Sequence, residues 1–113
     1  MKVLIVGSNG FLGSHVKSIL NNEYEHEVLE ITGKDQIDIT KYDYLDEYLS
    51  KSRPDVVINC AAFVGGISYG YKYPARMLYE NSLMAINLYN ASQKNKVEKL
   101  INPISNCAYP GNL

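Results

Sequence analysis

The chain contains two cysteines, no tryptophan, four prolines and no surplus of either charge. Cys60 and Cys107 cannot frame a disulfide scaffold and do not form a zinc spacing, so free thiols in a reducing cytoplasmic setting are expected. Eleven basic and twelve acidic side chains are interspersed, giving a formal charge of -1 and no basic patch. That balance argues against nucleic acid and against an anionic membrane as partners. No hydrophobic run approaches a membrane span, and the N-terminus enters an apolar run without the layout of a signal peptide. Internal repeats, low-complexity tracts and interdomain linkers are also missing. At 113 residues the chain is sized for a single domain, with room for a core.

What is present begins with MKVLIVGSNGFLG. Lys2 to Val6 reads as a buried parallel strand, because aliphatic residues follow one another without polar alternation. Gly7, Gly10 and Gly13 then fall at G-x-x-G-x-x-G spacing around Ser8 and Asn9, while Phe11 and Leu12 open a helical pattern that continues through Val16, Ile19 and Leu20. Each glycine has its own reason: Gly7 for a tight exit from the strand, Gly10 for the approach of a pyrophosphate, Gly13 for close packing of helix on sheet. The helix start offers free N–H groups and a positive dipole end to phosphates. Strand before and helix after are the context that this motif requires.

Glu27 to Thr32 reads as the second strand. An acid at the end of such a strand binds a ribose 2′-hydroxyl and selects NAD. That position falls near Thr32, followed by Gly33 and Lys34, a setting that tolerates a 2′-phosphate and favours NADP, with NAD possible; Glu30 is the selecting acid if the strand ends sooner. Gln36 to Ile39 reads as a short third strand, with Asp38 either at the adenine edge or acting as a helix cap in competition with Thr40. Tyr42, Leu45, Tyr48 and Leu49 have helical spacing and predict a crossover helix.

Asp55 to Cys60 is an apolar fourth strand running into Ala61 and Ala62, whose small side chains let a cofactor lie against the backbone. Phe63 to Tyr73, with three glycines and three tyrosines, reads as a ligand-side loop. Ala75 to about Lys94 is a long helix with Met77, Met84, Leu88 and Ala91 on one stripe and Asn81 as its odd polar residue. Lys99 to Ile104 is the fifth strand, with Pro103 placed near its end or at an unpaired edge. The ten tyrosines are expected to serve mainly in packing. The polar cluster Ser105-Asn106-Cys107-Ala108-Tyr109-Pro110 follows at a strand's carboxyl end, where chemistry sits in such sheets.

GSNGFLG, DVVINCAA, FVGGI, YPARMLYEN and SNCAYP together resemble the N-terminal part of the extended short-chain dehydrogenase/reductases, the NAD-dependent epimerase/dehydratase family, and within it the GDP-L-fucose synthases. The resemblance implies an NADP-dependent nucleotide-sugar epimerase/reductase that is a homodimer at full length. It implies cofactor contacts at Gly7, Asn9, Gly10, Phe11, Leu12, Gly13, Asp38, Ile39, Ala61 and Ala62, to which the reading of the strand end adds Thr32 and Lys34. It implies Ser105 as the catalytic serine at the substrate's keto oxygen and Cys107 as the base or acid of epimerisation. In the family a Tyr-x-x-x-Lys pair supplies the general acid; the chain stops before such a helix, and Tyr69 and Tyr73 lack a lysine four residues on. Asn106 stands where the family has a second serine, Asn102-Pro103 replaces leucine-glycine, and Thr32 replaces an arginine.

The expected fold is α/β: a Rossmann-type doubly wound parallel sheet of order 3-2-1-4-5, truncated after the fifth strand, forming an NAD(P)-binding domain without its substrate domain. The rivals are a nucleotide-sugar 4-epimerase or 4,6-dehydratase holding NAD, and a non-catalytic dinucleotide-binding module.

Overall fold

A computed structural model describes residues 1–105 and 108–111. Strand β1 (Lys2–Val6) lies inside the sheet, with Val3, Leu4, Ile5 and Val6 all buried, as expected of a strand covered on both faces. Helix α1 (Phe11–Glu23) leads to β2 (Glu27–Ile31), and α2 (Tyr42–Ser52) leads to β3 (Val56–Asn59). Helices α3 (Gly66–Lys72) and α4 (Pro74–Lys94) precede β4 (Lys99–Ile101). The four strands are parallel and ordered β2-β1-β3-β4, with Ile5 opposite Glu30 on one side and Ile58 on the other.

Alternation along the strands separates two helical layers. Leu4, Val6, Ile31 and Val57 point to one face and pack with Leu45 and Leu49 of α2 and Leu88 and Ala91 of α4. Burying each of these leucines contributes roughly 1.5–3 kcal/mol. The other face carries Glu30, which pairs with Lys17 of α1 at 2.9 Å. Order reverses between β1 and β3, so the loops after β1 and β3 diverge there and leave a crevice at the carboxyl ends.

Three expectations need correction. Gln36–Ile39 is not a strand, so the expected outermost strand is missing from the order. Gly33 O accepts the N–H groups of Gln36 and Ile37 in a turn, and Gln36 turns its side chain back onto the end of β2. Ile39 is nonetheless buried, because Asn87 of α4 donates to its carbonyl at 2.8 Å and holds the turn against the core. Second, the loop expected over Phe63 to Tyr73 contains α3, whose Tyr69 ring packs edge-on to Phe63 and against Tyr73. Third, most tyrosines are exposed; Tyr48 packs against the core, whereas Tyr44, Tyr71, Tyr79, Tyr89 and Tyr109 do not.

Strand β4 stops at Ile101, ahead of Asn102-Pro103, where the missing proline N–H would interrupt a ladder. Among the described residues no helix is long and apolar enough to cross a membrane.

Candidate functional site

The loops after β1, β2 and β3 enclose a cleft of about 330 Å³, floored by Val6 and Ile31 and walled on one side by α4. Gly7 leaves β1 with φ +80°, and a Cβ there would lie 2.7 Å from the Ala61 nitrogen. A Cβ on Gly13 would lie 2.1 Å from the Gly7 carbonyl oxygen, so α1 sits as close to the turn as backbone allows. Gly10 is different. Its missing Cβ would meet only the Gly7 oxygen, at 3.4 Å, and Gly10 lines the cleft.

Gly10 is also the N-cap of α1, and no side chain among the described residues caps that helix; its first turn has no acid. The N–H groups of Phe11, Leu12 and Gly13 therefore have no intrahelical acceptor and no capping oxygen. Phe11 and Leu12 contribute backbone here, since the Phe11 side chain is exposed and rests on the His15 ring. Asn9 is exposed at the turn and does not line the cleft.

On the β2 side the lining is Thr32, Gly33, Lys34, Asp38 and Ile39. Gln36 Oε1 accepts from the Thr32 N–H at 2.7 Å and from its hydroxyl at 3.0 Å, fixing the strand end. Asp38 accepts from the Thr40 hydroxyl at 2.6 Å and its N–H at 3.1 Å, with Lys34 at 3.9 Å. Burial alone would push the Asp38 carboxyl up, but the Thr40 hydrogen bonds and the Lys34 and Lys41 charges prevail and hold it below the usual carboxylate range. Asp38 therefore faces the cleft and braces Thr40, but the expected helix cap is not formed by either residue: the N-cap of α2 is Lys41, without a side-chain hydrogen bond. Glu30 does not line the cleft. Its carboxylate pairs with Lys17 on the α1 face, and that pairing keeps it below the usual range.

On the β3 side the chain passes Cys60, Ala61, Ala62 and Phe63 along the cleft. Burial pushes the Cys60 thiol up, so it stays protonated at neutral pH. Asn81 of α4 fixes this loop: its Oδ1 accepts the Phe63 N–H and its Nδ2 donates to the Phe63 carbonyl, both at 2.8 Å. Asn59 donates to Asn102 at 2.7 Å, tying the end of β3 to the segment that leads into Ser105. Ser105 is exposed beyond β4 and is not part of the cleft lining; its carbonyl accepts the Ala108 N–H. Cys107 lies outside the described residues.

The structure adds Arg76, Glu80 and Met84 to the lining. Their i, i+4, i+8 spacing on α4 is the signal the sequence carries: it places Arg76 and Glu80 in line with Met84 of the apolar stripe.

Residues 3–112 match the NAD dependent epimerase/dehydratase family. The chain belongs to that family. It is 32% identical over 110 residues to the GDP-L-colitose synthase of Yersinia pseudotuberculosis, covering 97% of this chain and 35% of that protein. It is 33% identical over 109 residues to the GDP-L-fucose synthase of Sinorhizobium fredii, covering 96% and 34%. The crystal structure of a GDP-L-fucose synthetase from Naegleria fowleri bound to NADP superposes with a TM-score of 0.81 at 26% identity, over 99% of this chain and 33% of that one. The chain therefore spans about a third of the length of the relatives it matches.

Proposed function

We propose that the chain is the NADP(H)-binding part of a cytoplasmic nucleotide-sugar epimerase/reductase, most like the GDP-4-keto-6-deoxy-mannose 3,5-epimerase-4-reductase that makes GDP-L-fucose. The cleft carries this reading: it joins an uncapped helix start, a glycine that leaves the cleft side of that start bare, and a strand end with Thr32 and Lys34 in place of an acid. A dinucleotide fits these features. Gly7, Gly10 and the N–H groups of Phe11, Leu12 and Gly13 would hold the pyrophosphate, Asp38 and Ile39 the adenine, and Ala61 and Ala62 the inner half of the cofactor. Lys34, exposed and only 3.9 Å from Asp38, is free to turn toward a 2′-phosphate. The NADP bound to the Naegleria relative agrees with this assignment.

Bound NADPH supplies the reducing equivalent, and the remaining chemistry belongs to side chains. The Ser105 hydroxyl donates a hydrogen bond to the 4-keto oxygen and stabilises the charge that grows there as the carbonyl is reduced. The Cys107 thiol exchanges the protons next to that ketone during epimerisation. No tyrosine among the 113 residues has a lysine four positions on, so binding is expected of this stretch and turnover is not. The reading includes a homodimer formed through α4, whose outer face exposes Leu78, Ile86 and Tyr89.

The test is a fluorescence titration with NADPH and NADH, followed by NADPH oxidation with a GDP-4-keto-6-deoxy sugar using the native protein. NADPH should bind more tightly than NADH, and Ser105→Ala should lose oxidation while keeping NADPH affinity. Preference for NADH would overturn the cofactor assignment, and full activity of Ser105→Ala the catalytic one.

A further inference from the structure

Arg76 lies in the first turn of α4 and faces the cleft, with its guanidinium 5.1 Å from the centre of the Phe63 ring. Among the described residues it has no carboxylate within ion-pair distance. The platform beneath it is fixed: both backbone polar groups of Phe63 are held by Asn81, and its ring is buttressed by Tyr69. One turn further along α4, Glu80 faces the same cleft. An acid in a cleft that takes a diphosphate repels it, and a cation one turn away offsets that repulsion. A guanidinium stacked on an aromatic ring also keeps its N–H edge available for an anion.

Resting on the NADP(H) reading above, we propose that Arg76 is a phosphate-binding residue of this cleft, held over Phe63 so that it meets the cofactor's pyrophosphate from the α4 side while the start of α1 meets it from the other. Sugar nucleotides also carry a diphosphate, and the two sources are separable by ligand. A charge-assisted hydrogen bond of this type corresponds to roughly a ten- to hundredfold change in affinity when one partner is removed.

The experiment measures the affinity of the native protein and of Arg76→Gln and Arg76→Lys for three probes by calorimetry: NADPH, 2′-AMP (the adenosine end without a pyrophosphate) and GDP. The expected result is a ten- to hundredfold loss for NADPH in Arg76→Gln, partial recovery in Arg76→Lys, and unchanged affinity for 2′-AMP and GDP. Unchanged NADPH affinity in Arg76→Gln would overturn the proposal, as would an equal loss for 2′-AMP, which would place the effect at the adenosine end or in the fold. Loss confined to GDP would assign Arg76 to the substrate's diphosphate instead and overturn it too. If the unaltered protein binds neither NADPH nor 2′-AMP, the NADP(H) reading itself fails.

Discussion

Gly10 and Gly13 sit three residues apart in one motif, and the structure predicts opposite consequences for the same change to alanine. At Gly13 the added Cβ would be 2.1 Å from the Gly7 oxygen and 2.8 Å from the Ser8 Cα, all backbone, so the start of α1 must move off the turn. Overpacking of this kind costs about 1–3 kcal/mol or more, against a helix-propensity gain of about 0.5–1 kcal/mol. The expected net loss is about 1–2 kcal/mol, read as a lower urea midpoint by roughly 0.3–2 M for slopes of about 1–3 kcal/mol/M. At Gly10 the backbone has φ -75°, which alanine adopts freely, and the nearest heavy atom is at 3.4 Å. A poorer N-cap and a less flexible unfolded chain oppose each other, so stability should stay within about 1 kcal/mol. NADPH affinity should nevertheless fall by at least tenfold, since the methyl group occupies the surface offered to the pyrophosphate. Urea unfolding paired with NADPH titration separates the two cases. Gly10→Ala binding NADPH as tightly as the unaltered protein would refute the reasoning.

Lys34→Gln should weaken NADPH binding roughly five- to fiftyfold while leaving NADH unchanged, as expected for loss of one charge-assisted contact to a 2′-phosphate; parallel fluorescence titrations check it. Glu30 has a folded-state pKa below its unfolded value near 4.3, so its pairing stabilises the fold above that pH and is lost as pH falls through the lowered value. Lys17→Met should flatten that acid limb, by less than about 1 kcal/mol because the pair is partly exposed, in urea midpoints measured from neutral pH downward. Asn81→Ala leaves the Phe63 N–H and carbonyl without their partner and should cost about 1–3 kcal/mol, with hydrogen exchange rising first over the 61–73 segment.

The parts of this fold that could be read from sequence are those in which the cause is local. β1 and its glycine turn are legible because an unbroken apolar strand, a positive-φ exit and a close helix approach leave their marks within thirteen residues. Gln36–Ile39 misleads because its alternation is real but has another origin: Ile37 and Ile39 point at the core from a turn, while the Gln36 amide and Asn87, 48 residues beyond Ile39, supply hydrogen bonds that a neighbouring strand would otherwise provide. Helix α3 was hidden by glycines and tyrosines that usually mark loops, and it forms where aromatic rings pack on one another. Glu30 reads from sequence as the selecting acid if β2 ends sooner, and only its partner on α1 decides that its carboxylate points away from the cleft. Arg76 is illegible for a related reason, since a charged residue on an amphipathic helix reads as solvated until the loop opposite it is known.

The most direct test of the cofactor cleft is amide chemical-shift mapping as NADPH is added to the isotopically labelled protein. The largest changes should fall on Gly7 to Gly13, on Thr32 to Ile39 and on Ala61 to Phe63, three stretches that the chain separates and the sheet brings to one end. Changes that saturate instead on α2 and the outer face of α4, or no changes at millimolar NADPH, would contradict the placement of the cofactor at the carboxyl ends of β1, β2 and β3.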